Sequence, residues 1–344
     1  MRWVWVGMLG CGPPSVAEVA ERCGDCHVAQ AAAFEASPHA RAGGSEVFEA
    51  LRAALPAEDG AGCQACHLPS TGTDRGLSCV SCHAAVGHAG ASDGRLVYDP
   101  WGGVQVAPGS TARAPHAIDD AGFLAEASLC GTCHDASGPG PFRESPYQHW
   151  AASPAADDGV SCQGCHMPKV DGVSGHAPAV SDDPAGWFGP VVSMSWQGEE
   201  LAVESLHGGH ALPDGASFLR RVEVVARREG QTVPWVGEPR WWLSSRASRG
   251  GREVELLAAD GVVDHHLLPG EVRRRSAGGS VDQVCVVYQR YDPGLVEALG
   301  LGPEAAGPVV EVACLSSTGL PAPPGRARPK PRTALARLQS RPGP

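Results

Sequence analysis

The chain of 344 residues holds a single isoleucine, Ile118, with six phenylalanines, four tyrosines, four methionines and two lysines, Lys169 and Lys330. Its apolar share of 42% is made largely of alanine. A core of such side chains would be thin, above all before residue 190. Bulky apolar cofactors would supply the missing bulk, much as bound metal supplies folding energy to small metal domains. Nor does any segment approach the roughly 18 consecutive apolar residues that a membrane-spanning helix needs. Acid is missing from the last 26 residues, where Arg326, Arg328, Lys330, Arg332, Arg337 and Arg341 stand without an acidic residue. The formal net charge is −11, so removing those six positive charges leaves −17 on residues 1–318. That balance excludes nucleic acid as a partner and favours a basic redox protein or a basic surface. The Pro/Arg-rich segment 319–344 is expected to be a disordered tail.

At roughly 100–200 residues per domain, the length suggests two domains. The first eleven residues, MRWVWVGMLGC, place one basic residue, a short apolar run and a glycine ahead of Cys11. This is similar to a compressed lipoprotein signal, which would make residues 1–11 a leader and Cys11 a lipid-bearing membrane tether. Residues 12–190 are rich in Gly, Pro, Ser and Asp, with Ala-rich stretches at Val28–Ala36 and Ser45–Leu55 that read as helices. Beyond about residue 195 the pattern turns to alternation, as in 218–225, Glu253–Leu257 and Val284–Tyr288, broken by Asp260-Gly261 and Pro269-Gly270. Short alternating runs between turn signals argue for strands. The expected fold class is therefore mixed: a loop-rich, mainly α domain over 12–190, then a small β-sandwich-like domain over 191–318.

Ten of the thirteen cysteines fall into five copies of C-x-x-C-H. These are Cys23, Cys26 and His27; Cys63, Cys66 and His67; Cys79, Cys82 and His83; Cys130, Cys133 and His134; Cys162, Cys165 and His166. A two-residue gap lets both sulfurs add to one porphyrin edge, and the adjoining histidine binds the iron from below. Zinc would need four ligands per ion and no histidine directly after each second cysteine. A thioredoxin-like site would show one motif in a strand–helix alternation. Five covalently attached c-type haems are expected, and with them export, because attachment occurs outside the inner membrane. The second and third motifs are so close in sequence that their haems are expected to be neighbours. Of the other cysteines, Cys285 and Cys314 lie in strand-like runs and could pair in an oxidising compartment or remain separate thiols.

Nine histidines remain for the opposite face of each iron: His39, His88, His116, His149, His176, His207, His210, His265 and His266. Only Met167 and Met194 could compete, Met1 and Met8 lying in the leader. Two histidines per iron imply lower potentials than a Met/His pair.

These words resemble the multihaem cytochromes c akin to the tetrahaem cytochrome of ammonia oxidisers, a group related in haem packing to pentahaem nitrite reductases and hydroxylamine oxidoreductases. The resemblance spans roughly residues 20–215. CGDCHVAQAAAFEASPHA implies His39 as a distal ligand; LSCVSCHAAVGH implies His88; APHAIDDAGFLAEASLCGTCHD implies His116. SPYQHWAASPAADDGVSCQGCHMP is the nearest match, with His149 at a non-ligand position and His176 following as a ligand, and GHALPDG implies His210. His207 stands as an alternative to His210, and His149 as an alternative to any of the five. His265 and His266 are expected to face solvent. The resemblance implies a carrier that relays electrons between periplasmic or membrane redox partners. The alternative is an enzyme with one open iron acting on a nitrogen or sulfur oxyanion or hydroxylamine. The nitrite reductases carry lysine in place of one motif histidine, and neither Lys169 nor Lys330 stands in a motif.

Overall fold

The computed structural model describes residues 15, 19–69, 73, 75–92, 95–108, 114–138, 141–170, 173–177, 183–206 and 208–316. The expected leader with Cys11, the alternative ligand His207 and the expected tail over 319–344 lie outside the described residues. No helix among the described residues is long and apolar enough to cross a membrane.

Helices and short ribbons fill the chain up to residue 191, and the long strands start at Val192. Helix α1 (Val28–Ala36) begins directly after the first motif, and α2 (Glu46–Ala54) is started by Ser45, whose hydroxyl accepts from the Phe48 amide at 3.1 Å. An N-cap serine satisfies one of the amides that a helix start leaves without an intrahelical partner. Further on come α3 (Pro146–Ala151) and α4 (Pro154–Asp157), each opened by a proline whose missing N–H costs nothing there. Among described residues before 190, the only large buried apolar side chains are Val47, Leu51 and Phe188, and the rest are alanines. That part of the chain has the thin core its composition implies.

The strands are β1 (Val192–Gln197), β2 (Glu200–Ser205), β3 (Arg221–Arg228), β4 (Gln231–Val233), β5 (Trp241–Trp242), β6 (Arg246–Arg249), β7 (Arg252–Glu253), β8 (Gly261–Val263), β9 (Val272–Ser276), β10 (Gln283–Gln289) and β11 (Val310–Ser316). They form antiparallel sheets in the orders β4-β3-β10-β11, with β5 also on β3; β9-β2-β1; and β7-β6-β8. Side chains alternate across a strand. Val222, Val224 and Ala226 of β3 and Val284, Val286 and Tyr288 of β10 thus enter one apolar cluster with Leu201 and Val203 of β2. Trp241 packs edge-on to Trp235 at 4.9 Å, and the Trp235 indole donates to the Val224 carbonyl at 3.0 Å, so these tryptophans belong to the core. Met194 packs against the same cluster.

Two strand expectations need correction. Phe218 and Leu219 form a 3-10 turn before β3, and Glu253–Leu257 passes from β7 into a second such turn at Leu256–Ala258. In both places the apolar residues Phe218 and Leu256 are drawn sideways into a separate cluster with Leu51 of α2 and Leu295. Phe142 meets Phe218 edge-on at 5.6 Å, so this cluster docks the helical part onto the strands.

Cys285 of β10 and Cys314 of β11 are register partners and are joined by a disulfide across 29 residues of chain. Closing a loop of that length in the unfolded chain is worth about 3–4 kcal/mol on the chain-entropy account. The Cys285→Ala/Cys314→Ala double variant is expected to lose stability of that size in denaturant titrations, and reductant should then have no further effect on it.

Candidate functional site

Each C-x-x-C-H word is about one helical turn. The His27, His67 and His134 amides donate to the Cys23, Cys63 and Cys130 carbonyls at 2.9, 3.1 and 2.8 Å. Residues three and four apart share a helix face, so the two sulfurs and the histidine of each motif point to one side. The third turn (Cys79–His83) is fixed by a reciprocal cap between Ser78 and Ser81. In the fourth, Gly131 is obligatory, because a Cβ there would lie 2.7 Å from the Tyr147 ring and 3.0 Å from the Ala91 carbonyl.

Four motif histidines each face one spare histidine at nearly constant separation. The ring centres are 6.3 Å apart for His27 and His116, 5.9 Å for His39 and His134, 6.2 Å for His83 and His176, and 6.1 Å for His166 and His210. A metal–nitrogen bond of about 2 Å on each side, plus about 1.1 Å from each ring centre to its nitrogen, gives about 6 Å. The spacing and the thin surrounding core fit an iron porphyrin held between each pair.

The rings are also held in the right tautomer. Nδ1 contacts a backbone carbonyl in His67 (Ala42, 2.7 Å), His83 (Gln105, 2.7 Å), His116 (Ala117, 3.0 Å), His176 (Ser174, 2.7 Å) and His210 (Ala211, 2.8 Å). A carbonyl can only accept, so Nδ1 carries the proton and the Nε2 lone pair is left for a metal. Burial, reinforced by neighbouring histidines, lowers His39 and His166 to about 4, and burial lowers His83 despite its bond to Gln105. These rings stay neutral, as ligands must. His134 differs. Burial disfavours its charged form, but Glu144, whose carboxylate is 3.5 Å from Nδ1, outweighs that and raises the pKa. Glu144 is brought back to the motif by the turn in which its amide donates to the Ala136 carbonyl at 2.9 Å.

The remaining motif histidine, His67 of the second motif, has different company. Its ring stacks on Phe48 at 4.3 Å with the planes 13° apart, too close for an iron between them. No spare histidine among the described residues makes a ring contact with it. His88 lies on the short strand Ala85–His88, its buried Nδ1 without a hydrogen-bond partner. His149 donates to Asp214 at 2.6 Å. His266 does not simply face solvent, because its Nε2 is 2.7 Å from the Ser217 hydroxyl and 2.8 Å from that of Ser245. His265 is three-quarters buried and 3.8 Å from Glu253.

Contacts between motif thiols give the order of the sites. Cys66 lies close to Cys133, Cys130 to Cys162, and Cys23 to Cys79, while Cys82 lies close enough to Cys133 to feel its charge. The fourth motif therefore touches the second, third and fifth, and the first is reached through the third. The second and third motifs, close in sequence, approach one another through Cys133.

Glu144 lies in no recognisable word, and Asp214 lies inside GHALPDG, a word that points to its histidine rather than to its carboxylate. Sequence reasoning also passed over an internal repeat. Phe34-Glu35-Ala36-Ser37-Pro38-His39-Ala40 recurs as Trp150-Ala151-Ala152-Ser153-Pro154-Ala155-Ala156. Ser37 and Ser153 are both buried, extended and without a partner for Oγ, so the two words adopt the same local form. Alanine 155 stands where the first word has its histidine.

No family model and no curated protein matches the chain. Among solved structures it is similar to a penta-heme cytochrome c552 from Thermochromatium tepidum, with a TM-score of 0.67 and 18% identity over 88% of this chain and 100% of that one. The helical attachment region and the antiparallel sheets together have the fold of a penta-heme cytochrome c552.

Proposed function

We propose that the chain is an exported relay that passes electrons between redox partners through five covalently bound haems. The observation that carries this is the set of four facing histidine pairs, each joining one motif histidine to one spare histidine at about 6 Å. Bound haem supplies the one-electron iron couple. The protein's own part would be to anchor each porphyrin edge through two cysteines and, at the four paired sites, to offer a histidine nitrogen from either side. By thiol contact it also keeps neighbouring attachment edges together, the fourth motif serving as the junction. The charge of −17 on residues 1–318 suits a basic partner, and lipid on Cys11 would hold the protein at a membrane.

A second reading is favoured at the second motif. No spare histidine ring is in contact with His67 among the described residues, whereas each of the other four motif histidines faces one. One iron would then keep an exchangeable position for a small molecule, as catalytic metal sites do. A pyridine haem count, EPR and carbon monoxide titration of the reduced protein test both readings. Five haems with four gas-silent, low-spin irons and one equivalent of bound gas are expected. No gas binding would remove the second reading, and two or more equivalents would remove the closed four-pair relay.

A further inference from the structure

The turn that follows the third motif presents an apolar side chain that the rest of the fold leaves uncovered. Trp101 is 77% exposed, the one exposed tryptophan among the described residues. Its backbone is held firmly: the Asp99 carboxylate accepts from the Trp101 and Gly102 amides at 3.1 and 3.0 Å, and that of Asp119 from the Gly103 amide at 2.7 Å. Both ends of the turn are fastened beside His83. The Asp99 amide donates to the Ala84 carbonyl at 2.9 Å, and the Gln105 carbonyl accepts from His83 Nδ1 at 2.7 Å. The ribbon leading into the turn extends the apolar face. Ala85 is fully buried and pairs with Tyr98, so Val86 and Val97, each one residue away along its strand, point outward, and both are exposed.

Carboxylates rim this face. Asp99, Asp119 and Asp120 are exposed, the last two on the strand Ile118–Asp120 that runs parallel to Val104–Val106. Arg95 is the only arginine or lysine in residues 85–106 and 118–120. Single apolar side chains are ordinary on a protein surface, but a rigidly held indole with valines beside it and acids around it has the make-up of a docking anchor. Aromatic side chains carry much of the binding energy at the centre of an interface, and charges at its rim steer the encounter.

We propose that this face docks a basic electron-transfer protein, with Trp101 as the apolar anchor and Asp99, Asp119 and Asp120 as the steering rim. The proposal rests on the relay reading above and gives the relay its port, at the iron between His83 and His176. The occupant follows from charge: residues 1–318 carry −17, and the rim adds three local carboxylates against one guanidinium, so a partner presenting lysines or arginines around an apolar spot is complementary. Encounters between redox proteins use small interfaces, in which a single anchor carries a large share of the binding. One electron passes between the partner's metal centre and the third iron, oxidising one and reducing the other, and no bond is made or broken. The turn itself supplies the connection, since residues 99 and 105 are bonded to Ala84 and His83.

The test is stopped-flow oxidation of the reduced full-length holo-protein by a small basic monohaem cytochrome c, over a series of salt concentrations. The wild-type second-order rate constant is expected to fall as salt rises. Trp101→Ser should weaken binding by about thirtyfold, the threshold of an interface hot spot, with haem count, Soret spectrum and potentials unchanged. Asp120→Lys gives an independent reading: its rate should be about threefold or more below wild type at low salt and should approach wild type at high salt. Equal rates for wild type and Trp101→Ser would overturn the proposal. So would a changed Soret band or potential in Trp101→Ser, which would mean that the indole packs on the protein's own porphyrin. A wild-type dimer in sedimentation that Trp101→Ser abolishes would also overturn it, by giving the face to a second copy of the chain. Failure of the relay reading has a different signature: wild type and variant alike would deliver fewer electrons to excess oxidised probe than their haem count, whereas a failed docking site leaves that number whole.

Discussion

A chain with Cys130→Ala and Cys133→Ala is expected to carry one haem fewer than the wild type and to break into separate redox groups. The fourth motif touches three others: Cys133 lies beside Cys66 and near Cys82, and Cys130 lies beside Cys162. Without it, the first and third sites remain joined through Cys23 and Cys79, but the second and fifth each stand alone. Stopped-flow reduction by a partner in limiting amount should then give several phases and incomplete equilibration, where the wild type behaves as one connected set. The matched control is Cys162→Ala with Cys165→Ala. It also removes one haem, but from the end of a branch, and the other four should still equilibrate as one set. Equal fragmentation in both variants would refute the junction.

The five C-x-x-C-H words were legible because they are local: five residues each name the cysteines and histidines expected to hold haem without help from the fold. Helix α1 was equally plain, its bounds Val28–Ala36 being those read from the alanine run. What the sequence could not assign was which spare histidine faces which motif. His39 follows the first motif yet faces His134, and His116 precedes the fourth yet faces His27. His176 follows the fifth and faces His83. These pairings tie segments 89 to 95 residues apart, and with so thin a protein core they depend on where porphyrins would fill space. Nearness in sequence was a poor guide for the same reason, as the contact of the second motif with the fourth shows.

The strands divide along similar lines. β10 was readable because both its faces are buried in an apolar environment, Val284 and Val286 on one side and Cys285 and Val287 on the other. Glu253–Leu257 alternates just as well, but Leu256 is needed in the cluster that docks the helical part, and tertiary packing overrides the local pattern. The contact of His149 with the buried Asp214 could not be read from the sequence, because it joins two words whose residues lie 65 positions apart.

A single methyl group at position 76 should be among the most damaging substitutions in the helical part. A Cβ on Gly76 would lie 2.6 Å from the His39 carbonyl oxygen, 2.7 Å from the Ala42 amide nitrogen and 2.8 Å from the Ala40 carbonyl carbon. All three are backbone atoms of one tight turn, which cannot yield as a flexible side chain would. That turn serves two sites. It carries His39, which faces His134, and its Ala42 carbonyl accepts from His67 Nδ1 at 2.7 Å. The Leu77 amide also closes onto the His39 carbonyl at 3.0 Å, so residues 75–77 and 39–43 are locked together. Gly76→Ala is expected to cost about 3 kcal/mol, at the upper end for overpacking. His39 should be driven off its position, leaving the iron of the fourth motif high-spin and open to carbon monoxide. Gly62 ends the helical turn Ala57–Gly62 with nothing within 4 Å of a new Cβ, so Gly62→Ala should be neutral or stabilise by up to about 1 kcal/mol. A Gly76→Ala protein with an unaltered EPR spectrum and gas stoichiometry would mean that the His39 turn does not hold an axial ligand.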